Sequence, residues 1–376
     1  MLQIFSNSLG KDELDVISNV FESKWVGNGM ECKLLESEFA AHLAVANENV
    51  LLFNCATSAI FIGLQTLGVS QGDEVIVSSV NFIACATAVL ALGATPVFAD
   101  VDTRTLNILP AEIKRKKTGK TKAVIVLHYG GHPACMNEIK EACGNDILIF
   151  EDSANAIAST YYNQACGTVG DAGVWSCDAM KILVMGDGGF LYIKDKELLS
   201  QTNSLRYLGL APKSTSGIDS LQSGLEKWWE YEIDNISGRY TSNDLLASIG
   251  RVQLKKLNGF IEKRKDIWQY YQKKLSGIGD LILPPEPLHN CTSSYYFYWI
   301  QTAHRDELAK YLITKNIYCT FRYYPLHLIE HFNSSESLPN AEHVNNVTLN
   351  IPIHQNLSGS DLEKIVKAIT DFYAQL

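Results

Sequence analysis

"NVLLFNCATSAIFIGLQTLG", residues 49–68, changes its hydrophobic period in the middle. Residues 50–53 form an unbroken apolar run of strand length. From about Thr57 the apolar residues recur with a period near 3.6, as on one face of a helix. This strand, turn and helix unit is followed by more of the same kind. "GDEVIVSSV" (72–80), "TPVFADVD" (95–102), "KAVIVLHY" (122–129) and "DILIFEDS" (146–153) are short, β-branched apolar runs, separated by helical stretches such as 83–92 and 136–143. Strands that alternate with helices imply an α/β fold with a largely parallel sheet, covered by helices on both faces.

From Thr241 onward the texture changes. "NDLLASIGRVQLKKLNGFIEKRKDIWQYYQKKL" (243–275) reads as one long amphipathic helix, and "LPPEPLH" (283–289) ends it. Beyond lie a strand-like "SSYYFYWIQT" (293–302), a helix over 305–315, the segment "IYCTFRYYPLHL" (317–328) and a last helix over 359–375. The expected organisation is a large domain, residues 1–250, and a smaller C-terminal α+β domain, residues 251–376, in keeping with a length of 376 residues.

A net charge of −9 and no basic run longer than "KRKK" (114–117) argue against a nucleic-acid partner. No apolar stretch approaches the roughly 20 residues of a membrane span, and the N-terminus lacks the pattern of a leader. The nine cysteines show neither CxxC nor zinc-ligand spacing, so no metal is expected and the reading is a cytoplasmic protein with buried thiols.

In open parallel sheets, ligands sit beyond the carboxyl ends of the strands, where helix N-termini offer free N–H groups to anions. Three strand ends here carry polar residues. "NCATSA" puts Ala56, Thr57 and Ser58 at a helix start, "FEDSANA" puts Asp152 and Asn155 after an apolar strand, and "WSCDAMKILVMGDGG" puts Lys181 between a strand end and a glycine pair. Each has an ordinary structural explanation when taken alone: a helix cap, a second cap, a solvated lysine.

Together they do not stand alone. "NCATSAIFIGLQTLG", "EDSANAIASTYYNQACGTVGDAGVWS", "MKILVMGDGG" and "DLLASIGRVQL", in this order, resemble the DegT/DnrJ/EryC1/StrS family of nucleotide-sugar aminotransferases over most of the chain. The resemblance implies the fold type I architecture of enzymes that use pyridoxal 5'-phosphate (PLP), with a mostly parallel seven-stranded sheet sandwiched by helices and a smaller C-terminal domain. It also implies a homodimer with active sites shared between subunits. On it, Lys181 is the lysine that carries PLP and moves the proton, a role that needs a neutral amine. Asp152 pairs with the pyridine nitrogen, and Phe82 stacks on the ring. Ala56, Thr57 and Ser176 bind the phosphate. Asn155 meets the ring hydroxyl from a position where relatives often carry glutamine. Arg239, in "ISGRYTSND", stands where relatives donate an asparagine across the dimer to the phosphate. Gly27 of "WVGNG" and Tyr323, Tyr324 and His327 of "FRYYPLHL" match segments that border the sugar.

The expected activity is amino transfer from L-glutamate to a keto sugar, a dTDP- or GDP-linked 4-keto-6-deoxyhexose in the leading reading, for O-antigen, lipopolysaccharide or other deoxyaminosugar synthesis. A 3-keto sugar and an octulosonate without a nucleotide are the nearest alternatives. PLP-dependent sugar dehydratases of the same family replace the lysine by histidine, so Lys181 argues against that class. A non-catalytic regulatory protein on the same scaffold needs neither Lys181 nor Asp152.

Overall fold

The computed structural model describes residues 1–211, 229–332 and 334–376. Two helices, α1 (Lys11–Glu22) and α2 (Met30–Leu43), lead into β1 (Val50–Phe53) and α3 (Ala56–Thr66). Alternation then continues through β2 (Glu74–Ser78), α4 (Ile83–Ala91), β3 (Thr95–Ala99), α5 (Pro110–Lys116), β4 (Thr121–Leu127), α6 (Met136–Cys143) and β5 (Leu148–Asp152). A tight pair of strands, β6 (Ala172–Ser176) and β7 (Gly189–Ile193), follows and precedes α7 (Leu199–Arg206).

These strands form a 7-stranded sheet in the order β1-β7-β6-β5-β4-β2-β3. Every pairing is parallel except the two made by β7. Since β7 runs against both β1 and β6, those two run with the rest, and β1, β2, β4, β5 and β6 all end on one edge of the sheet.

Strand residues alternate between two apolar clusters, which explains why the strands are apolar throughout. Val75, Val77, Ile125 and Phe150 pack with α2, α3 and α4, whereas Ile76, Val124, Val126 and Ile149 pack with α5 and α6. This period places the neighbouring acids of β5 on opposite faces. Glu151, fully buried, goes to the α6 side, where it accepts from Gly167 N at 2.8 Å and from His128 Nε2 at 2.8 Å. Ala134 N donates to His128 Nδ1 at 3.0 Å, which fixes the ring proton on Nε2. Asp152 goes to the α3 and α4 side.

The glycine pair has a packing reason. A Cβ on Gly189 would lie 2.5 Å from the Ala56 nitrogen, so only glycine lets the start of β7 lie against the start of α3.

The long helix, α8 (Asp244–Leu275), is 32 residues long and is capped by the Asn243 side chain accepting from Leu246 N. Position 250 falls inside it, so the chain has no break where the sequence pattern placed a boundary. Packing partners change further along: Ala247, Leu257 and Phe260 belong to the cluster on the sheet, and Ile267, Trp268, Tyr271 and Leu275 to a separate cluster. A continuous helix carries no signal at such a changeover, because its period is the same on both sides.

That separate cluster is completed by the antiparallel pair β8 (Tyr298–Gln301) and β9 (Thr348–Ile351), with α9 (Arg305–Thr314) and α11 (Gly359–Tyr373) over them. Between α9 and β9, α10 (Pro339–Val347) returns Ala341 and Val344 to the sheet's cluster. Backbone and side-chain bonds dock this part on the sheet's carboxyl edge: Leu326 N to Ser79 O at 2.8 Å, Tyr296 N to Gly130 O at 2.9 Å, and Gln301 Nε2 to Thr103 O at 2.7 Å. Among the described residues no helix is long and apolar enough to cross a membrane, and no cluster of His, Cys, Asp or Glu has the arrangement of a metal site.

Candidate active site

A cavity of about 270 Å³ opens at the carboxyl edge, and its walls come from the ends of five elements. Ala56 and Thr57 start α3, Phe82 precedes α4, Leu127 ends β4, Asp152 ends β5 with Ala154 just after it, Ser176 ends β6, and Lys181 lies in the loop from β6 to β7. Tyr296, Arg322 and Tyr323 close it from the C-terminal part.

Lys181 is half-buried, with Nζ 3.3 Å from Asn155 Oδ1 and 4.9 Å from the centre of the Tyr296 ring. Its amine is thus aimed into the cavity by an acceptor and an aromatic face. Asn155 is buried, and its Nδ2 has no well-formed hydrogen bond, while the Tyr323 phenol interacts with the same amide. An unsatisfied buried N–H donor costs about 1–3 kcal/mol, so that group calls for a ligand acceptor.

Asp152 is 2 % exposed, and burial raises its carboxyl above the ordinary value. Four groups pull the other way: Ala154 N at 3.1 Å, the Lys181 ammonium, the Cys85 thiol, whose Sγ donates to Oδ2 at 3.3 Å, and the His128 imidazole. Burial holds Cys85 itself well above the usual thiol range, which keeps it a donor. A buried carboxylate without a full positive partner is suited to a ligand cation.

At the other end, Cys55 caps α3, with Sγ accepting from Ser58 N at 3.4 Å. The sequence pattern offered Thr57 or Ser58 for that task. Because Cys55 does it, the Thr57 hydroxyl is exposed and makes no hydrogen bond among the described residues, and the first N–H groups of α3 face the cavity. Phe82 is 46 % exposed at the mouth, its ring 5.9 Å from that of Tyr323. Its neighbour Asn81 is buried, with Oδ1 accepting from Phe82 N at 2.6 Å, so the aromatic and not the amide lines the wall. Acid, amide, amine, aromatic face and helix start fit the pyridine nitrogen, ring hydroxyl, aldehyde, ring face and phosphate of PLP.

Other expected residues lie elsewhere. His327 is buried away from the cavity, with Nδ1 2.6 Å from Ser79 Oγ and Nε2 3.4 Å from Glu342 Oε1. The bond from Leu326 N to Ser79 O draws this segment onto the end of β2 and turns the imidazole inward. Tyr324 is 53 % exposed and does not line the cavity. Gly27 O accepts from Asp244 N at 2.8 Å. Asp244 in turn receives Gly29 N and Cys32 N, and a Cβ on Gly29 would meet its Oδ2 at 2.5 Å, so "WVGNG" joins the starts of α2 and α8. Arg239 lies outside this cavity, with its guanidinium 5.6 Å from the Tyr207 ring centre. Sequence reasoning missed Tyr296, Arg322 and Cys85, which no local motif marks.

A model of the DegT/DnrJ/EryC1/StrS aminotransferase family matches residues 7–370. The dTDP-4-dehydro-2,3,6-trideoxy-D-glucose 4-aminotransferase of Saccharopolyspora spinosa is 41% identical over 97% of this chain and 95% of its own length. The GDP-perosamine synthase of Escherichia coli O157:H7 is 28% identical over 99% of both chains. Among solved structures, the aminotransferase TlmJ from Streptoalloteichus hindustanus superposes with a TM-score of 0.94 at 42% identity, covering 100% of this chain and 99% of that one.

Proposed function

The chain belongs to the DegT/DnrJ/EryC1/StrS aminotransferase family, which works with PLP on sugars, and we propose that it moves an amino group from L-glutamate to the 4-keto carbon of a dTDP-linked deoxyhexose. The observation that carries the reaction class is Lys181 and Asp152 facing one cavity, with the α3 start beside them. The 41% relative, named for a dTDP-linked 4-dehydro sugar, supports the ketone position and the nucleotide.

When bound, PLP supplies an electron sink for the charge left on carbon after proton loss. Asp152 holds positive charge on the pyridine nitrogen, and Cys85 and Ala154 N keep its two oxygens in place. The α3 N–H groups with the Thr57 and Ser176 hydroxyls hold the phosphate, Phe82 covers one ring face, and Asn155 Nδ2 donates to the ring hydroxyl. Lys181 Nζ carries the cofactor, takes the α-proton from the amino donor, and delivers a proton to the sugar carbon in the second half of the cycle.

The decisive experiment loads the enzyme with the donor's amino group and then offers keto sugars. Return of the PLP absorbance is expected to be at least about tenfold faster with a dTDP-linked 4-keto deoxyhexose than with GDP-linked or 3-keto sugars, a discrimination of about 1.4 kcal/mol. A faster return with a 3-keto sugar would overturn the ketone assignment.

We further place the protein as a homodimer in a reducing, cytoplasmic setting, where its nine free cysteines stay unpaired. Around Arg239 several apolar side chains are exposed: Tyr207, Leu208, Ile233 and Ile236 are 39%, 43%, 60% and 98% exposed. Such a patch marks a contact with another chain, and Arg239 would cross it to the partner's phosphate site. Arg239→Ala should weaken PLP retention by about ten- to a hundredfold, as expected for a lost charge-assisted contact. Mixing Lys181→Ala with Arg239→Ala subunits tests the crossing. In each heterodimer one site draws both residues from unaltered surfaces, so activity should partly return; heterodimers that form and stay inactive refute it.

A further inference from the structure

The cavity's charges are unevenly matched. Its lining holds three carboxylates, Asp152, Asp178 and Asp187, and two cations, Lys181 and Arg322. Asp152 has its own donors, burial and the nearby Asp178 raise the Asp187 carboxyl above its ordinary value, and Lys181 is the reacting amine. Arg322 is different. It is half-buried and forms no ion pair among the described residues. Its guanidinium lies 5.2 Å from the centre of the Phe5 ring and donates to the Met180 sulfur at 3.8 Å, a weak acceptor. Its backbone N–H is fixed by Asn350 Oδ1 at 2.8 Å.

Position adds to the argument. Phe5 stacks on Tyr296 with ring centres 5.4 Å apart, and Tyr296 carries the Lys181 amine over its ring. Tyr296 also senses the Arg322 charge, which counteracts the burial that raises its phenol. The guanidinium therefore shares the cavity with the reacting amine, linked to it through the two stacked rings of Phe5 and Tyr296 and without a carboxylate of its own. A planar fork of donors in that state binds a carboxylate in two-pronged fashion.

Resting on the proposed use of L-glutamate, we infer that Arg322 is the carboxylate post of the amino-donor site. A donor amino acid must bring at least one carboxylate into this cavity along with its amine, and the aspartates there repel it. The PLP phosphate is served by the α3 start, and the diphosphate of the proposed sugar sits on the ring carbon opposite the ketone, whereas the donor's carboxylate is bonded to the carbon that bears its amine. The inference also explains why an arginine sits two places before Tyr324 in "FRYYPLHL" and turns inward, while Tyr324 turns out.

The test uses PLP-loaded enzyme and two readouts. Calorimetry measures binding of glutarate, the glutamate skeleton without its amine, against its uncharged diamide. Stopped-flow spectroscopy measures the saturation constant for L-glutamate in the first half-reaction. Arg322→Gln should weaken both glutarate binding and glutamate saturation by about ten- to a hundredfold, with a smaller change in the maximal rate, and Arg322→Lys should recover part of the loss. Wild-type glutarate affinity in Arg322→Gln would overturn the inference. So would equal losses in the Gln and Lys variants, which would mean that shape and not charge matters, or equal binding of the diamide. If glutarate binds through Arg322 but L-glutamate does not convert the cofactor, the donor assignment fails and the carboxylate post stands.

Discussion

With Lys181 replaced by alanine, transamination is expected to fall by roughly four orders of magnitude or more, because in the proposed mechanism one amine both carries the cofactor and moves the proton. The surroundings offer no substitute. Asn155 Oδ1 and the Tyr296 ring hold this one Nζ in the cavity, and the other cation there is a guanidinium, which stays protonated and cannot act as base. The fold should survive, since Lys181 is half-buried in a loop and joins no ion pair among the described residues. Three measurements check this. Borohydride treatment of the wild-type holoprotein should fix PLP to the peptide containing Lys181. The alanine variant should show no fixed label, and its glutamate half-reaction, followed by absorbance, should recover in part with added methylamine. A label on another lysine, or a near-normal rate in the variant, refutes the assignment.

The second large effect belongs to Asp152. Asp152→Asn should keep the shape of the site, since Ala154 N can still donate to the amide oxygen. It removes the negative charge that, in the proposed mechanism, would hold the pyridine nitrogen protonated, and the glutamate half-reaction should slow by roughly a hundred- to a thousandfold, with a much smaller change in PLP retention. Stability should move in the opposite direction in the protein stripped of PLP. Burial raises the Asp152 carboxyl in the folded state, so the folded chain binds that proton more tightly than the unfolded chain does. The contribution favours the fold at pH below the raised pKa and is lost as pH rises through it. Near neutral pH the stripped Asp152→Asn protein should therefore melt above stripped wild type, and the gap should shrink in mild acid. A cation bound at the carboxylate cancels this penalty, so the PLP-loaded proteins should not show the same gain. Identical melting of the two stripped proteins at neutral pH would show that the carboxylate is already compensated.

Both effects rest on residues that were readable before any coordinates. The apolar run and period change at residues 49–68 give β1 and α3 within one or two positions, and the same reading gives β2 to β5, α4, α6 and α8. Local sequence suffices there, because a strand buried on both faces must be apolar throughout and a covering helix must show a stripe. Lys181, Asp152, Phe82, Thr57 and Ser176 were legible through the ordered motifs around them, and all of them meet at one cavity. The strand at 293–302 shrank to Tyr298–Gln301, since Tyr295 takes a positive φ of 50° that breaks the extension.

What the sequence determined by itself was the kind of each element and the order of the chemistry-bearing segments, both of which are set by neighbours along the chain. The period of two along "FED" separates Glu151 from Asp152 without saying which face carries α3; the resemblance named Asp152, and tertiary structure puts that acid in the cavity wall. Tertiary structure also decided that His327 turns inward while Arg322 lines the cavity, and that Cys85 reaches Asp152 across 67 positions. Those outcomes depend on the strand order β1-β7-β6-β5-β4-β2-β3 and on how the C-terminal part docks on its edge. Contacts between distant segments are chosen by the packing of whole surfaces, and no local spacing records that choice.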